Sequence, residues 1–481
     1  MDAGDGVSLP YDVLLKILSR LSPCTLARCR RVCHAWRAAV DVIDDLLLPD
    51  YFPRHSFPGI FFTTIGCQSD SSFFAPPWTR SGRRDGKPGL RRLAYPREAT
   101  VRRSCNGLLL LEDWGYCYVF NPATGRYAEL PRPSLKSPVD AMSLAFDPAM
   151  SLHFDVFVFE KDVSAQHSKQ AEALTLEQVK DEGEEEEELR EHVLPLEVFL
   201  SRTWRWEKQE FMPGHCAPRN LYDILATTSP SNQTVWSSEY WRGSLYMHCH
   251  YSILTILRPS KGTYDMVRLP GKPCTRCIYT LPWNSILASY ERGIHYVTVD
   301  KLHLQVWMLT DSTDGQLDWT LAHDVSLNPH GHMIKPLIIQ PKVTWGVVKS
   351  RTGPTSIGYN DDYDDSVEKE DEATPYDSEY FWDSNNDNFI DMVGGAVHLK
   401  PPEWGAHCRI VGFHPHKNVL ILVLDWAVVV YYLDMSRMQY LGDSHELLRD
   451  PVQDAFYVKG SFNYRPCYKD VLWVGKFSML S

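Results

Sequence analysis

Cysteine and histidine side chains that could bind zinc occur between residues 248 and 277. His248, Cys249 and His250 come first, and Cys274 and Cys277 follow as a C-x-x-C pair. A structural zinc ion takes four Cys or His ligands, usually as two closely spaced pairs. A second pair at standard spacing is missing here, so the alternatives are a half-site for zinc and two strand cysteines in a core. We favour the core cysteines and predict no metal.

Other catalytic and ligand-binding motifs are incomplete or missing. The run Asp383–Asp387 begins like a calcium-binding loop, but Asn388 stands where the turn glycine is required and Gly394 where the bidentate glutamate belongs. Neither phosphate-binding glycine motif occurs, and Gly442–Ser444 lacks the G-x-S-x-G surroundings of a hydrolase nucleophile. We therefore predict a non-enzymatic chain with no catalytic residues and no cofactor.

The net charge of −12 is unevenly distributed. Residues 361–391 carry a net charge of −12 and residues 172–191 carry −8, which leaves the remaining chain at +8. Like charges at this density favour extended, hydrated loops. The basic stretch 80–103 could attract an acidic partner, or it could be a solvated loop that pairs with the acidic inserts. Aromatic residues do not alternate with its charges, so we predict no nucleic-acid binding.

Length and composition indicate two domains inside the cell. The chain has 481 residues, of which 44% are hydrophobic, enough for a large core. The first residues carry no secretory signal, and the apolar run Val419–Leu433 is too short for a membrane span and is interrupted by Asp425. It indicates two strands joined near residues 425–427. We expect a cytoplasmic or nuclear protein without membrane contact, with its twelve cysteines reduced.

A short helical module is predicted at the N-terminal end. Apolar residues at 14, 17, 18 and 21 share one face of a helix, Pro10 suits a first helical turn, and Ser22-Pro23 ends the helix. Two further short helices are predicted at about 23–30 and 34–42. A unit of this size buries little surface alone, so it requires a partner or the rest of the chain.

From about Phe57 the sequence is typical of β-structure. Residues 104–131 indicate successive strands separated by turns, a related unit recurs at 241–270, and a looser copy occupies 292–319. Each unit is a small antiparallel sheet with an uncovered apolar face, so several must stack or close a ring. Blades of ~40 to 50 residues give a β-propeller of about six to eight blades. The alternative is a pair of sheets packed as a β-sandwich.

The order Leu-Pro, x-x-Val-Leu, x-x-Ile-Leu, x-x-Leu, then Leu26, Val32-Cys33 and Trp36 resembles the F-box. This resemblance implies that one set of residues faces the S-phase-kinase-associated adaptor of a cullin-RING ubiquitin ligase, or packs directly behind that surface. The alternative is an amphipathic segment whose apolar face packs on the following domain. The implied adaptor-binding set is Leu9, Pro10, Ile17, Leu18, Leu21, Leu26, Val32, Cys33 and Trp36.

A second resemblance concerns the β region. The phrases Ser-Cys-Asn-Gly-Leu-Leu and Asn-Pro-Ala-Thr-Gly-x-Tyr-x-x-Leu-Pro, both within 104–131, are similar to those of plant F-box-associated domains. That resemblance implies propeller-like repeats over the remainder of the chain. It does not identify the residues that would bind a substrate.

Together these observations predict an α+β chain in which a small three-helix F-box precedes a large all-β domain. We expect the F-box at 5–45, a linker with the first β elements and a basic loop at 46–103, and the β domain at 104–481, with acidic inserts near 160–193 and 358–391. The F-box resemblance implies a substrate-recognition subunit of a cullin-RING ligase that binds an adaptor, through it a cullin, and an unidentified protein substrate. The alternatives are a non-ligase scaffold and a ligand-binding propeller without catalytic activity.

Overall fold

The structure is a computed structural model, and it describes the larger part of the β region and parts of the N-terminal module. The described residues are 10–18, 29, 32–33, 35–36, 38–40, 59–64, 71–75, 99–113, 115–133, 142–158, 193–217, 235–249, 253–271, 285–290, 293–300, 302–311, 315–327, 346–348, 389–390, 408–414, 417–424, 427–443, 458–467 and 471–472.

The N-terminal module contains helix α1, Tyr11–Leu18. The Pro10 carbonyl accepts hydrogen bonds from the backbone N–H groups of Val13 and Leu14, both at 3.0 Å, so the helix begins directly after this proline. Helical residues recur at 29, 35–36 and 38–40. The remaining residues of the predicted second and third helices lie outside the described part, so the three-helix arrangement stays a prediction.

The β domain is built from sheets in which most neighbouring strands are antiparallel and consecutive in the chain. The first two strands, β1 (Gly59–Thr64) and β2 (Ser71–Ala75), share a sheet with two strands from later in the chain, which are described with the last sheet. The next sheet is β3 (Thr100–Cys105), β4 (Leu108–Asp113), β5 (Tyr116–Asn121) and β6 (Arg126–Glu129).

An eight-stranded sheet follows, made of two antiparallel halves that join where β10 pairs with β14 in parallel. One half is β7 (Met142–Phe146), β8 (Phe154–Val158), β9 (Leu194–Leu200) and β10 (Arg205–Pro213). The other half is β11 (Val235–Trp241), β12 (Ser244–Cys249), β13 (Ile253–Arg258) and β14 (Thr263–Arg268).

The remaining sheets complete the domain. One is β15 (Ser285–Tyr290), β16 (Gly293–Asp300), β17 (His303–Asp311) and β18 (Leu317–Ser326). Another is β21 (Cys408–Phe413), β22 (Val419–Leu424), β23 (Ala427–Tyr432) and β24 (Arg437–Asp443), with β20 (Phe389–Ile390) added to β24. The last is β25 (Val458–Tyr464) with β1, β2 and β19 (Gly346–Val348) in that order.

The first strands of these units contact one another in a ring. β3 contacts β7, β7 contacts β11, β11 contacts β15, β15 contacts β21, β21 contacts β25, and β25 returns to β3. The N-terminal module is therefore followed by a mostly β domain that is nearly closed. Because β1 pairs antiparallel with β25, residues 59–64 share a sheet with residues 458–464.

Side chains connect the strands of the ring at several junctions, mostly by bonding to the neighbouring backbone. These bonds satisfy polar groups that a continuous strand ladder would otherwise pair. They are Arg103 Nε to Met142 O at 2.9 Å, Asn106 Nδ2 to Phe146 O at 2.7 Å, Leu287 N to Ser237 Oγ at 3.0 Å, Ser461 Oγ to Val411 O at 2.9 Å and Ser104 Oγ to Asn463 O at 3.2 Å.

The two clearest sequence units do form matching sheets. In the first, Asn106 (φ 45°) and Gly107 (φ 94°) make the turn between β3 and β4, and in the second Arg242 (φ 48°) and Gly243 (φ 76°) make the turn between β11 and β12. Two consecutive residues with positive φ are typical of the tight hairpin turn that matches strand twist. The predicted strands on either side of residues 425–427 are confirmed, since Leu424 pairs with Ala427.

Candidate docking surface and central cavity

Helix α1 has more apolar side chains than those that its buried core contains. Leu14 and Leu18 are buried, and they pack with Ala39 and Val40 in a small cluster that Trp36 also contacts. Leu14 and Leu18 are four residues apart, so their side chains lie on the same face of the helix. This cluster is the core of the N-terminal module as far as the structure describes it.

A flank of the same helix stays exposed. Val13 and Ile17, also four residues apart, are 43% and 45% exposed. Val32, which follows in the same module, is 63% exposed. The polar residues Asp12 and Lys16 lie opposite the buried pair Leu14 and Leu18 and about 100° around the helix from Val13 and Ile17, which follows from a rotation of about 100° per residue. We call Val13, Ile17 and Val32 the apolar flank.

The predicted adaptor-binding residues divide into three groups in the structure. Pro10, Ile17, Val32 and Cys33 are exposed. Leu18 is fully buried and Trp36 is half-buried against the cluster, which is the position of residues that pack behind a surface. Leu9, Leu21 and Leu26 lie outside the described residues. Sequence reasoning did not include Val13 in the set, although its spacing from Ile17 was visible.

A central cavity lies inside the ring of first strands. Its volume is about 210 Å³, and its walls come from β3, β11, β15, β21 and β25. Its lining includes the polar residues Ser237, Glu239 and Ser289 and the apolar residues Ile286 and Phe462. No sequence motif predicted this cavity, because its walls come from strands that are far apart in the chain.

Glu239 is the acidic side chain of this cavity. Ser289 Oγ donates a hydrogen bond to Glu239 Oε2 at 2.8 Å across the junction of β11 and β15. Glu239 is half-buried as a residue, and it lines the cavity. Burial raises the pKa of Glu239 to about 7, and the hydrogen bonds from Ser289 oppose this shift.

The elevated pKa of Glu239 predicts a pH-dependent difference between the wild type and a Glu239→Gln variant. The unfolded carboxyl titrates near pH 4.5 and the folded one near 7, so stability is lost as the pH rises between these values. The amide of glutamine does not ionise and avoids this loss. We expect the variant to be more stable than wild type at pH 8, by on the order of 2 kcal/mol after screening by cavity water, with most of the difference gone at pH 5. Urea unfolding at both pH values measures it, and parallel pH profiles would contradict it.

The candidate zinc residues are only partly described. His248 is buried, with its ring edge-on to Tyr296 at a centroid distance of 5.5 Å, as expected for a core residue. Cys274 and Cys277 lie outside the described residues. Within the described ranges, no group of three or more His, Cys, Asp or Glu side chains is placed to hold a metal ion.

A comparison with protein-family models identifies an F-box-like domain at residues 7–46. This range contains α1, the buried cluster of Leu14 and Leu18, and the apolar flank. The matched range is close to the predicted module of 5–45. No curated protein matches the chain as a whole.

Solved structures show only remote similarity. BBS1N in complex with ARL6DN is 8% identical with a TM-score of 0.22, over 48% of this chain and 58% of that one. The S. cerevisiae Dbp5 complex with Nup159, Gle1, IP6 and ADP is 8% identical with a TM-score of 0.26, over 74% and 66%. Dihydro-heme d1 dehydrogenase NirN in complex with DHE is 12% identical with a TM-score of 0.28, over 95% and 94%. Similarity at this level establishes neither a shared fold nor a shared function.

A search of the described helices for a membrane-spanning segment found no candidate.

Proposed function

We propose that this chain is a substrate-recognition subunit of a cullin-RING ubiquitin ligase. Its F-box-like domain at residues 7–46 would bind the S-phase-kinase-associated adaptor and, through it, a cullin. The observation that carries the proposal is the apolar flank, which lies within that domain and is left uncovered by the part of the chain that the structure describes.

The energetics of the apolar flank favour a protein partner. Large contiguous patches of exposed apolar side chains are uncommon on a monomer surface and mark interaction sites, and Val13 and Ile17 are neighbours on the surface of α1. Val13 and Ile17 project from a helix whose leucines, Leu14, Leu15 and Leu18, pack in the buried cluster, so these two side chains are held in place before binding. Burying a side chain of this size contributes about 1.5–3 kcal/mol, and little ordering is needed beforehand.

For the β domain, we propose a six-bladed propeller that presents the substrate-binding surface. The ring order of the first strands supports this, because six antiparallel units, five of four strands and one of five, follow one another around it. The pairing of β1 with β25 would close the ring by combining the two ends of the domain in one blade. Loops at the ends of such a ring are where specificity would reside.

Such a chain would position the substrate and would not itself catalyse ubiquitin transfer. Ubiquitin transfer would be carried out by a conjugating enzyme elsewhere in the assembly. Holding a substrate lysine near the activated thioester raises its effective concentration, and fixing its orientation adds a further gain.

The apolar flank provides the test of this function. A double variant, Val13→Asp with Ile17→Asp, places two charges on the proposed contact while both positions stay exposed in the free chain. We expect its affinity for the purified adaptor to fall on the order of a hundredfold, as for loss of two anchor residues. The matched control is Lys16→Asp, which adds the same residue to the polar side of α1.

Binding is measured with the full-length chain by surface plasmon resonance, and the melting of the β domain is recorded in parallel. Adaptor binding retained by the double variant, or lost equally in the control, would contradict the proposal. Affinity capture with the proteasome blocked extends the test. Cullin should be recovered with wild type only, whereas proteins recovered with both forms are substrate candidates.

A further inference from the structure

The central cavity holds an acid, Glu239, that forms no ion pair among the described residues, although Arg103 and Arg465 also line the cavity. Among the described residues, the hydrogen-bond partner of the Glu239 carboxyl group is Ser289, through its hydroxyl, which donates to Oε2, and through its backbone N–H. An ionised carboxylate accepts hydrogen bonds at about four positions, so part of this capacity is unused. A carboxylate removed from bulk water is costly unless it is paired, which makes the cavity a place where a positive group would gain most.

Other classes of ligand fit the cavity less well. A metal ion needs several ligating side chains, and the described residues offer no such group. A small anion would be repelled by ionised Glu239, and Arg103 on the cavity wall already donates to the carbonyls of Met142 and Arg102, at 2.9 and 2.6 Å. A purely apolar ligand would displace water from Glu239 without replacing its hydrogen bonds.

The size and lining of the cavity limit what could enter. About 210 Å³ is below the volume of typical drug-sized pockets, so the ligand would have to be small. The side chains of Ile286 and Phe462 supply apolar wall near the polar groups. This combination suits a short hydrocarbon chain that ends in a charged donor.

We propose that the central cavity binds a small organic cation, a primary ammonium group on a short apolar chain, whose nitrogen pairs with the Glu239 carboxylate. The hydroxyls on the same wall, Ser237 and Ser289, complete the hydrogen bonds of the ammonium group, and the chain lies along Ile286 and Phe462. This site is independent of the F-box-like domain and of any role in ubiquitin transfer.

Binding of this kind depends on pH through Glu239. The other titratable or charged groups on the cavity wall are Arg103 and Cys105 on β3, Tyr240 on β11 and Arg465 after β25, whereas β15 and β21 contribute none. Burial raises the pKa of the Cys105 thiol and of the Tyr240 hydroxyl, so both keep their protons near neutrality, and the arginines stay charged. With its pKa of about 7, Glu239 is mostly ionised at pH 8 and mostly protonated at pH 6.

The test uses n-butylammonium as the probe, with n-butanol and butyrate as neutral and anionic probes of similar size. Binding to the full-length chain is followed by ligand-observed saturation-transfer NMR and by titration. We expect n-butylammonium to bind at pH 8, to bind about tenfold more weakly at pH 6, and to bind at least tenfold more tightly than either other probe.

Two variants locate the binding. Glu239→Gln keeps the shape of the side chain and should lose the preference for the ammonium probe, whereas Glu210→Gln, at an exposed position of β10, should leave it unchanged. Equal binding of all three probes, preferential binding of butyrate, unchanged binding in Glu239→Gln, or no binding at all would overturn the proposal. If Glu239→Gln fails to fold, the comparison of the three probes and the pH series on the wild type still test the proposal.

Discussion

Deletion of residues 458–481 is expected to abolish cooperative folding of the β domain. The deletion removes β25, whose Tyr464 is buried between Phe61 of β1 and Phe73 of β2, at ring-centroid distances of 5.4 and 6.2 Å. It also removes Cys467, whose carbonyl accepts a hydrogen bond from the fully buried Asn121 at 2.9 Å.

The expected loss exceeds the stability of an ordinary domain. Removing one large buried aromatic side chain costs about 3–5 kcal/mol, and here a whole strand with its ladder on β1 is lost as well. Total stabilities are about 5–15 kcal/mol. Near-UV circular dichroism and thermal unfolding of the truncated chain provide the measurement.

A peptide of residues 458–472 supplies the control, because it restores β25 without a covalent link. It should recover part of the native signal. A truncated chain that melts as sharply as wild type would contradict the ring order described above.

Gly107→Ala is expected to have the second largest effect. Gly107 has φ 94°, and a Cβ at this position would lie 2.5 Å from Cys467 Cβ, 2.6 Å from Cys467 N and 2.7 Å from Arg465 O. Two of these neighbours are backbone atoms, so a change of side-chain rotamer cannot relieve the contact. Left-handed backbone costs alanine about 1–2 kcal/mol and overpacking a further 1–3, which gives a destabilisation of about 2–5 kcal/mol.

The matched control for this variant is Gly125→Ala. Gly125 has φ 68° in another turn of the same sheet, and no atom lies within 4 Å of a Cβ there. Gly125→Ala should be destabilised only through its backbone conformation. The difference in unfolding free energy between the two variants therefore measures the cost of the contact with residues 465–467. Urea unfolding of both measures this difference. Equal urea midpoints for the two variants would show that residues 465–467 do not restrict the space at Gly107.

The sequence was informative wherever one short segment decides the structure. The spacing of Leu14 and Leu18 predicted a helix whose buried side they now form. The unit at 104–131 predicted successive strands separated by turns, and Asn106 and Gly107 take positive φ angles in the turn between β3 and β4. Asn121, which begins the second phrase, also connects two parts of the chain. Its side-chain oxygen accepts a hydrogen bond from the Ala123 N–H, and its side-chain nitrogen donates one to the carbonyl of Cys467.

Contacts between distant segments could not be predicted in this way. The strand Gly59–Thr64 carries no local signal that selects Val458–Tyr464 as its neighbour, because the pairing depends on a shared core around Phe61 and Tyr464. The same limitation hid the central cavity. Glu239 and Ser289 are 50 residues apart and meet only because β11 and β15 are adjacent in the ring.

The pairing of β1 with β25 has a consequence during protein synthesis. The ribosome makes residues 59–64 nearly 400 residues before their partner strand, an interval of about 20 to 80 seconds at 5–20 residues per second. One edge of β1, with its adjacent Phe61 and Phe62, stays without its native neighbour for that time, and unpaired apolar edges promote aggregation. Chaperones that cover nascent chains should therefore matter for the yield of this protein, whereas the helical module emerges early and is available to a partner before translation ends.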